Sequence, residues 1–210
     1  MNGNVRIENL DFNEFPDRAR RLEDLGKDLA SIMKDIYKEV NELHNFWYGK
    51  RYKELTILFG NVKPSLDEML KLVGADIPDK LRIIANNYAM ADHSDMVAQV
   101  GGTKVELLEE VVEFNDTTFR FLQKEIEGKR ENIMQLKSKM HAKFEEVNKF
   151  YTELNQIWQS DAYETFKSKL TELQKLIDNT LEQIFDAEFT RLMNQTISDM
   201  QDAESKNTMQ

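Results

Sequence analysis

The side chains that could perform catalysis or hold a metal are spread thinly along this sequence. The three histidines, His44, His93 and His141, are far apart, and none forms a pair at helical spacing with another histidine. The run Asp92-His93-Ser94-Asp95 has residue types suited to metal binding or hydrolysis. Four consecutive residues on a helix nevertheless point in different directions. We interpret this run as a solvated helix end, and we predict no metal site.

Other signatures of enzymes are also missing from the sequence. There is no glycine-rich phosphate loop, GxSxG elbow or dinucleotide fingerprint. Paired carboxylates such as Glu109-Glu110 and Glu145-Glu146 are typical of charged helix surfaces rather than of acid/base catalysis. We therefore expect no catalytic residues, no cofactor and no enzymatic activity.

The composition favours long helices and disfavours polyanionic partners. Only 8 Gly and 3 Pro occur in 210 residues, and 31% of the residues are charged, so we predict an all-α fold. A net charge of -10 opposes binding to nucleic acid. Because the chain has no cysteine, it depends on a hydrophobic core rather than on disulfides.

The first residues lack the apolar core of a secretory signal, and the chain has no run of 18 apolar residues. We therefore expect that the protein is neither exported through the Sec route nor inserted into a membrane.

Two amphipathic patterns flank a tryptophan and a glycine in the first half. Apolar residues at steps of three and four predict a long helix over about 16–46, with Asn13 or a neighbour as its cap. A second helical pattern follows Gly49, which can adopt the backbone conformation that ends a helix. We expect kinks or breaks in this return arm at Gly60, Pro64, Gly74 and Pro78.

The second half repeats the first at one constant offset in residue number. This offset relates Trp47 to Trp158, the only two tryptophans, and Tyr52 to Tyr163. Ser160 takes the place of Gly49. We interpret the chain as two copies of a helix-turn-helix unit. Two unrelated hairpins with tryptophans placed by chance are the alternative.

The paired glycines Gly101-Gly102 mark the seam between the copies. Residues 1–100 form the first predicted hairpin, and residues 101–210 form the second. Thr103 and Glu106 resemble a capping box and predict a short helix through about 113. A third long helix is expected from Phe119 to Ile157, and a fourth from about Phe166, with a frayed tail after Met200. Two hairpins with apolar stripes would bury them by packing into an antiparallel four-helix bundle.

Each half resembles the hundred-residue W-x-G family of type VII secretion substrates, which are helical hairpins with Trp-x-Gly in the bend. Trp47-Tyr48-Gly49 matches the motif, whereas Trp158 is followed by Ser160 where the family has glycine. The resemblance covers nearly the whole chain, as a tandem fusion.

The family also carries an export signal, Tyr-x-x-x-Asp or Glu, near the end of its second helix. Tyr88 and Asp92 match this signal at the end of the first predicted hairpin. The equivalent place in the second half holds Asp199 without a tyrosine. In the family the signal lies near a free C-terminus, whereas here the whole second half of the chain follows Asp92.

The resemblance implies a non-enzymatic substrate or secretion partner of a Gram-positive type VII system. Its partners would be the membrane-bound secretion ATPase and a further secreted protein, with synthesis in the cytoplasm and export by a non-Sec route. One chain would supply both hairpins of the family's dimer, so we expect a monomer. The alternative is an intracellular helical adaptor or chaperone, for which the 10 methionines offer adaptable apolar surface.

Overall fold

The structure is a computed structural model, and it describes residues 11–95, 98–101, 104–110, 119–158 and 161–207. Most of these residues are helical, which confirms the prediction of an all-α fold. In chain order the elements are α1 (Glu14–Glu42), a 3₁₀ turn (Leu43–Asn45), β1 (Trp47–Tyr48), α2 (Lys50–Lys71), a first π segment (Leu72–Asp76), α3 (Ile77–Ala91), β2 (Arg120–Phe121), α4 (Gln123–Asn155), α5 (Asp161–Glu182), a second π segment (Gln183–Glu188) and α6 (Phe189–Asn207).

The first long helix begins two residues before Pro16, which lies in the first turn, where its missing N–H is tolerated. The chain turns into α1 through Asp11, whose carboxylate accepts a hydrogen bond from the Asn13 N–H at 2.9 Å. The Asp11 carbonyl oxygen accepts another from the Glu14 N–H at 3.1 Å. Asp11 therefore performs the role predicted for Asn13 or a neighbour.

The return arm is less broken than its glycines and prolines suggest. Helix α2 continues through both Gly60 and Pro64, although Pro64 cannot donate a backbone hydrogen bond. The change comes at the first π segment, which contains Gly74, and Pro78 is accommodated at the start of α3. The two π segments begin at Leu72 and Gln183, which are related by the same offset as the two tryptophans. The same irregularity therefore recurs in both halves.

Three local predictions are wrong. Residues 104–110 are not helical, although Thr103 and Glu106 resemble a capping box, and the Leu108 N–H donates to the Asp67 carboxylate at 2.9 Å instead of to a helix carbonyl. Phe119 precedes the third long helix, which starts only at Gln123, because the intervening residues form β2. The tail continues as exposed helix to Asn207, since residues 201–207 contain no glycine or proline to stop α6.

The chain divides into two compact units, each built from three segments. Unit 1 contains Met1–Ser31, Glu68–Leu107 and His141–Gln174; unit 2 contains Ile32–Asp67, Leu108–Met140 and Lys175–Gln210. Both units therefore draw on residues before and after the Gly101 seam.

In unit 1, helix α1 contacts the first π segment, α3 and α4. The Glu23 and Arg82 side chains form an ion pair at 2.6 Å and are both largely buried, so the charged groups satisfy each other. Arg21 pairs with Glu153 at 2.7 Å, and Asp28 pairs with Lys143 at 3.0 Å. The α1 contacts to α4 run in opposite chain directions, as in antiparallel neighbours.

In unit 2, aromatic side chains and a buried hydroxyl join the elements. The Tyr37 hydroxyl of α1 donates to the Phe59 carbonyl oxygen of α2 at 2.8 Å. The Phe59 ring lies 5.1 Å from the ring of Phe185 in the second π segment, measured between centroids. Lys137 of α4 pairs with Asp186 of the same π segment at 3.3 Å. Unit 2 thus also combines both halves of the chain.

Candidate functional site

The first bend is a tight reversal that requires glycine at its third position. After Trp47 and Tyr48 of β1, Gly49 has a φ angle of +116°, which side-chain-bearing residues rarely adopt. A Cβ atom on Gly49 would lie 3.4 Å from the ring of Phe119, which is an ordinary contact distance, so the φ angle is what favours glycine. The glycine of the Trp-x-Gly motif is therefore fixed by backbone geometry.

A short antiparallel ladder closes this bend. In it, Trp47 pairs with Phe121 and Tyr48 with Arg120. The Leu122 N–H adds a hydrogen bond to the Phe46 carbonyl oxygen at 3.0 Å. The ladder joins a bend of the first half to the start of the first long helix of the second half, which the sequence did not predict.

Trp47 is completely buried and lies among aromatic rings of both halves. Its ring centroid is 5.8 Å from that of Phe121, 5.9 Å from that of Phe189 and 6.3 Å from that of Tyr52. Such edge and tilted contacts between rings add to the stabilisation from burial. Trp47 is therefore a core residue of unit 2.

The Tyr52 side chain returns across the bend to α1. Its hydroxyl donates to the carbonyl oxygen of Val40 at 3.3 Å. In the second half, the Tyr163 hydroxyl donates to the carbonyl oxygen of Tyr151 at 3.0 Å. The two donors are related by the offset between the tryptophans, and so are the two acceptors. The repeat seen in the sequence therefore extends to a specific hydrogen bond.

The second bend is also closed by aromatic residues. Trp158 is 7% exposed, and its ring centroid is 5.9 Å from that of Tyr163 and 6.5 Å from that of Phe15. Phe15 lies at the start of α1, in the first half of the chain. Each tryptophan therefore contacts an aromatic residue near the start of the other half's first long helix.

Ion pairs also join residues of the two halves of the chain within each unit. In unit 2, the Lys129 ammonium donates to the Glu42 carboxylate and lies 2.9 Å from that of Glu39. In unit 1, Arg21 donates to Glu153, which is the counterpart of Glu42 in the second half. The hydrogen bond from the partner cation lowers the pKa of the Glu42 and of the Glu153 carboxyl.

The candidate export signal lies at the end of α3 in unit 1. Tyr88 is half-buried in the last turns, and Asp92 is exposed at the C-cap. His93 follows with a φ of +56°, and the Ser94 N–H donates to the Ala89 carbonyl oxygen at 2.8 Å. This geometry is a Schellman motif, with histidine where glycine is usual. The signal residues therefore lie on a helix with a defined end.

The equivalent position in the second half lies inside α6 and contacts the first turns of α2. Asp199, at the position that matches Tyr88, lies 3.5 Å from the guanidinium of Arg51 in unit 2. Arg191 lies near Glu54 of the same turns, at 3.9 Å. An ion pair thus takes the place of the missing tyrosine.

The structure places the predicted residues in two groups. Trp47 and Gly49 lie in unit 2, whereas Tyr88, Asp92 and Trp158 lie in unit 1. Ser160 lies outside the described residues. The sequence missed Phe15, Phe121 and Phe189 as ring partners, although the position of Phe15 at a helix start and the aromatic character of all three were visible signals.

The described parts of the chain contain neither a metal-ligating cluster nor a candidate membrane span. Among those residues, no group of three or more histidine or carboxylate side chains could hold a metal ion. None of the helices formed by the same residues combines the length and the apolar character that a membrane span requires. A cavity of about 450 Å³ in unit 2 carries both charge signs along its wall, which is formed by Lys34, Asp35, Tyr37, Lys38, Asn41, Glu42, Asn45 and Glu109.

Comparison with models of protein families, with curated proteins and with solved structures gives no match to this chain. The bends and the end of α3 are therefore the features from which a function can be proposed.

Proposed function

We propose that this protein is a non-enzymatic substrate or secretion partner of a Gram-positive type VII secretion system. In this proposal it is made in the cytoplasm, is recognised by the membrane-bound secretion ATPase as a folded helical bundle and leaves the cell by a non-Sec route. A second secreted protein is a further candidate partner. Tyr88 and Asp92 form the recognition signal.

The observation that supports the proposal is that equivalent tyrosine hydrogen bonds close both bends. In each half, a tryptophan is followed five residues later by a tyrosine that bonds a carbonyl oxygen seven residues before the tryptophan. A chance pair of unrelated hairpins would not share donor, acceptor and ring contact. The repetition supports a tandem W-x-G-like chain, and Gly49 supports the motif in the first copy.

The proposed architecture is two helical hairpins, residues 1–100 and 101–210, that pack as an antiparallel four-helix bundle. Contacts inside each unit support it: α1 meets α2 through Tyr37 and Phe59 in unit 2, and meets α4 through Arg21 and Glu153 in unit 1. The exchange of aromatic partners between halves is what two hairpins of a dimer would make. A single chain would then replace the family's pair of chains.

The test is export of the tagged protein from its native host, with and without the membrane-bound ATPase. We expect the protein in the medium of the parent strain and its retention in the ATPase deletion strain, with a cytoplasmic enzyme as the control for lysis. Equal extracellular amounts in both strains would overturn the proposal. A stoichiometric partner in the cytosol of both strains, without export, would support the adaptor or chaperone alternative.

A further inference from the structure

The first bend, in unit 2, exposes two large apolar side chains. Phe119 is 57% exposed and Leu122 is 42% exposed, and they flank the two residues of β2. The Phe119 ring lies beside Gly49, and the Leu122 N–H donates to the Phe46 carbonyl oxygen, so both residues are held at the bend. In the first half, the position that matches Leu122 holds the polar residue Asp11. The apolar surface is therefore a feature of the first bend and not of the repeat.

Exposed basic residues lie at the same bend. Lys50 and Lys53 belong to the first turn of α2, and Lys124 belongs to the first turn of α4, directly after β2. Arg120 of β2 is also exposed, and its guanidinium lies 5.0 Å from the centroid of the Tyr48 ring. This ring contact holds the guanidinium in place but does not neutralise its charge.

Carboxylates near the bend offset only part of this charge. Glu54 and Asp199 both lie near Arg51, at 3.1 and 3.5 Å from its guanidinium. Glu125 follows Lys124 in the first turn of α4. The bend therefore keeps a positive charge, although the chain as a whole has a net charge of -10. The exposed side chains that define this surface are called the bend patch below: Phe119, Leu122, Lys50, Lys53, Arg120 and Lys124.

The fold does not require the positive charge at the start of α2. The N-terminus of a helix favours negative side chains, so cations there oppose the helix dipole. The first turn of α2 nevertheless contains no acidic residue. The positions that match Lys50 and Lys53 in the second half hold Asp161 and Glu164, at the start of α5. Since the second half forms its bend with the opposite charge, the lysines of the first bend indicate a role in binding.

We infer that the bend patch is a docking surface for an anionic lipid bilayer. Phe119 and Leu122 enter the headgroup region, and the basic side chains contact the lipid phosphates. Burial of apolar side chains and attraction to anionic lipids add to each other at such a surface. The net negative charge of the chain does not prevent this contact, because physiological salt screens charges that are more than about 8 Å away. Such docking requires neither a spanning helix nor export from the cell.

The test is binding of the full chain to lipid vesicles, measured by cosedimentation. One set of vesicles contains phosphatidylcholine alone, and the other contains an equal mixture of phosphatidylcholine and the anionic lipid phosphatidylglycerol. We expect binding to the mixed vesicles to be at least about tenfold tighter, because the basic side chains attract anionic headgroups. Added salt should weaken this binding. Absence of binding to the mixed vesicles, or equal binding to both sets, would overturn the inference.

The first variant gives the first bend the charges of the second. Lys50→Asp with Lys53→Glu should weaken binding to the mixed vesicles at least about tenfold, because attraction is replaced by repulsion. The matched control is Lys139→Glu with Lys149→Glu, which changes the net charge equally at exposed positions of α4. Lys139 lies about 24 Å along α4 from its first residue, so we expect the control to bind as the parent does. Equal weakening by both pairs would show that only net charge acts, and the inference would be wrong.

The second variant removes the apolar side chains and keeps the charges. Phe119→Ser with Leu122→Ser should weaken binding to the mixed vesicles at least about tenfold, because less apolar surface is buried. Circular dichroism checks the folding of each variant. If loss of the Phe119 ring beside Gly49 lowers helicity, Leu122→Ser alone is measured and should still weaken binding. Unchanged binding would overturn the inference.

An acidic protein surface is the other partner that a basic and apolar patch could suit. Soluble polyglutamate is the probe for this alternative, and it is measured with the same variants. We expect it to bind the parent protein at least about tenfold more weakly than the mixed vesicles do, since it offers no apolar phase. Binding of polyglutamate without binding of the mixed vesicles would overturn the assignment to lipid.

Discussion

Gly26 and Gly74 bring α1 and the first π segment into backbone contact: a Cβ atom on Gly26 would lie 2.7 Å from the Cα atom of Gly74. Real Cβ atoms do not approach backbone so closely, and backbone cannot move aside as a flexible side chain can. Within unit 1, the packing of these two elements therefore depends on glycine at position 26.

Gly26→Ala should destabilise the protein by about 1–3 kcal/mol, because the added methyl group forces the elements apart. This is the net loss that remains after the advantage of about 1 kcal/mol that alanine has over glycine inside a helix. Gly60→Ala in α2 is the matched control, since no atom other than those of its chain neighbours and its own helix backbone lies within 4 Å of its Cβ position. We expect Gly60→Ala to raise the melting temperature and Gly26→Ala to lower it. A rise in both variants would contradict the close approach.

The glycines show how far the sequence could predict the fold. Helical periodicity predicted the long helices within a few residues, because each apolar stripe is a local signal. Gly74 was expected to interrupt the helix, and the first π segment does lie there, but the sequence did not show that Gly74 also allows the close approach of Gly26 and Val105. Contacts of this kind join residues far apart in sequence, so a local pattern does not contain them.

Tyr52→Phe and Tyr163→Phe should each cost about 1 kcal/mol of stability, because each removes a buried hydroxyl that donates to a backbone carbonyl oxygen. Chemical denaturation would measure both changes. Tyr48→Phe is the control and should change stability by less than about 0.5 kcal/mol, since Tyr48 is partly exposed. If one of the two substitutions lowered the free energy of unfolding by about 1 kcal/mol and the other left it unchanged, the two bends would not be equivalent.

Alkaline pH should unfold the protein through its buried tyrosines. Burial raises the pKa of Tyr37, Tyr52, Tyr151 and Tyr163 above the usual value of 10.0. A raised pKa in the folded state means that this stability is fully present below about pH 10 and is lost as the pH rises further. We expect the ultraviolet absorbance of these four tyrosinates to appear together with the loss of helical circular dichroism. Their ionisation in a fully helical protein would contradict the burial.

Part of the candidate site could also be predicted from the sequence, because it repeats in the two halves. Trp47 and Trp158 were found because the only two tryptophans are related by the offset between the halves, and Gly49 was found because it follows Trp47 in the Trp-x-Gly motif. The aromatic partners Phe121 and Phe15 were missed because each lies in the opposite half of the chain from the tryptophan that it contacts. Such contacts leave no periodic pattern in the sequence. The packing of residues 98–101 on α3 was missed because Asn86 and Asp79 bond to backbone atoms, whose positions no sequence motif specifies.

The assembly state is a further prediction. If the halves pack on each other within one chain, the second hairpin is present at an effective concentration on the order of millimolar and excludes another molecule. Light scattering at micromolar protein should then give the chain mass of 24.7 kDa. Twice this mass would indicate hairpins exchanged between two copies.

The last prediction separates recognition from folding. Asp92→Ala should abolish export with a change in stability below about 0.5 kcal/mol, because Asp92 is exposed at the end of α3. Tyr88→Ala should also abolish export, with a larger loss of stability, since its ring is half-buried. Trp158→Ala should cost roughly 3–5 kcal/mol by removing a buried ring and should reduce export only through unfolding. Export from the native host, measured beside the melting temperature of each purified variant, distinguishes these outcomes. If Asp92→Ala and Tyr88→Ala stay folded and are exported normally, the signal lies elsewhere in the chain, because recognition of this helix end would require both side chains.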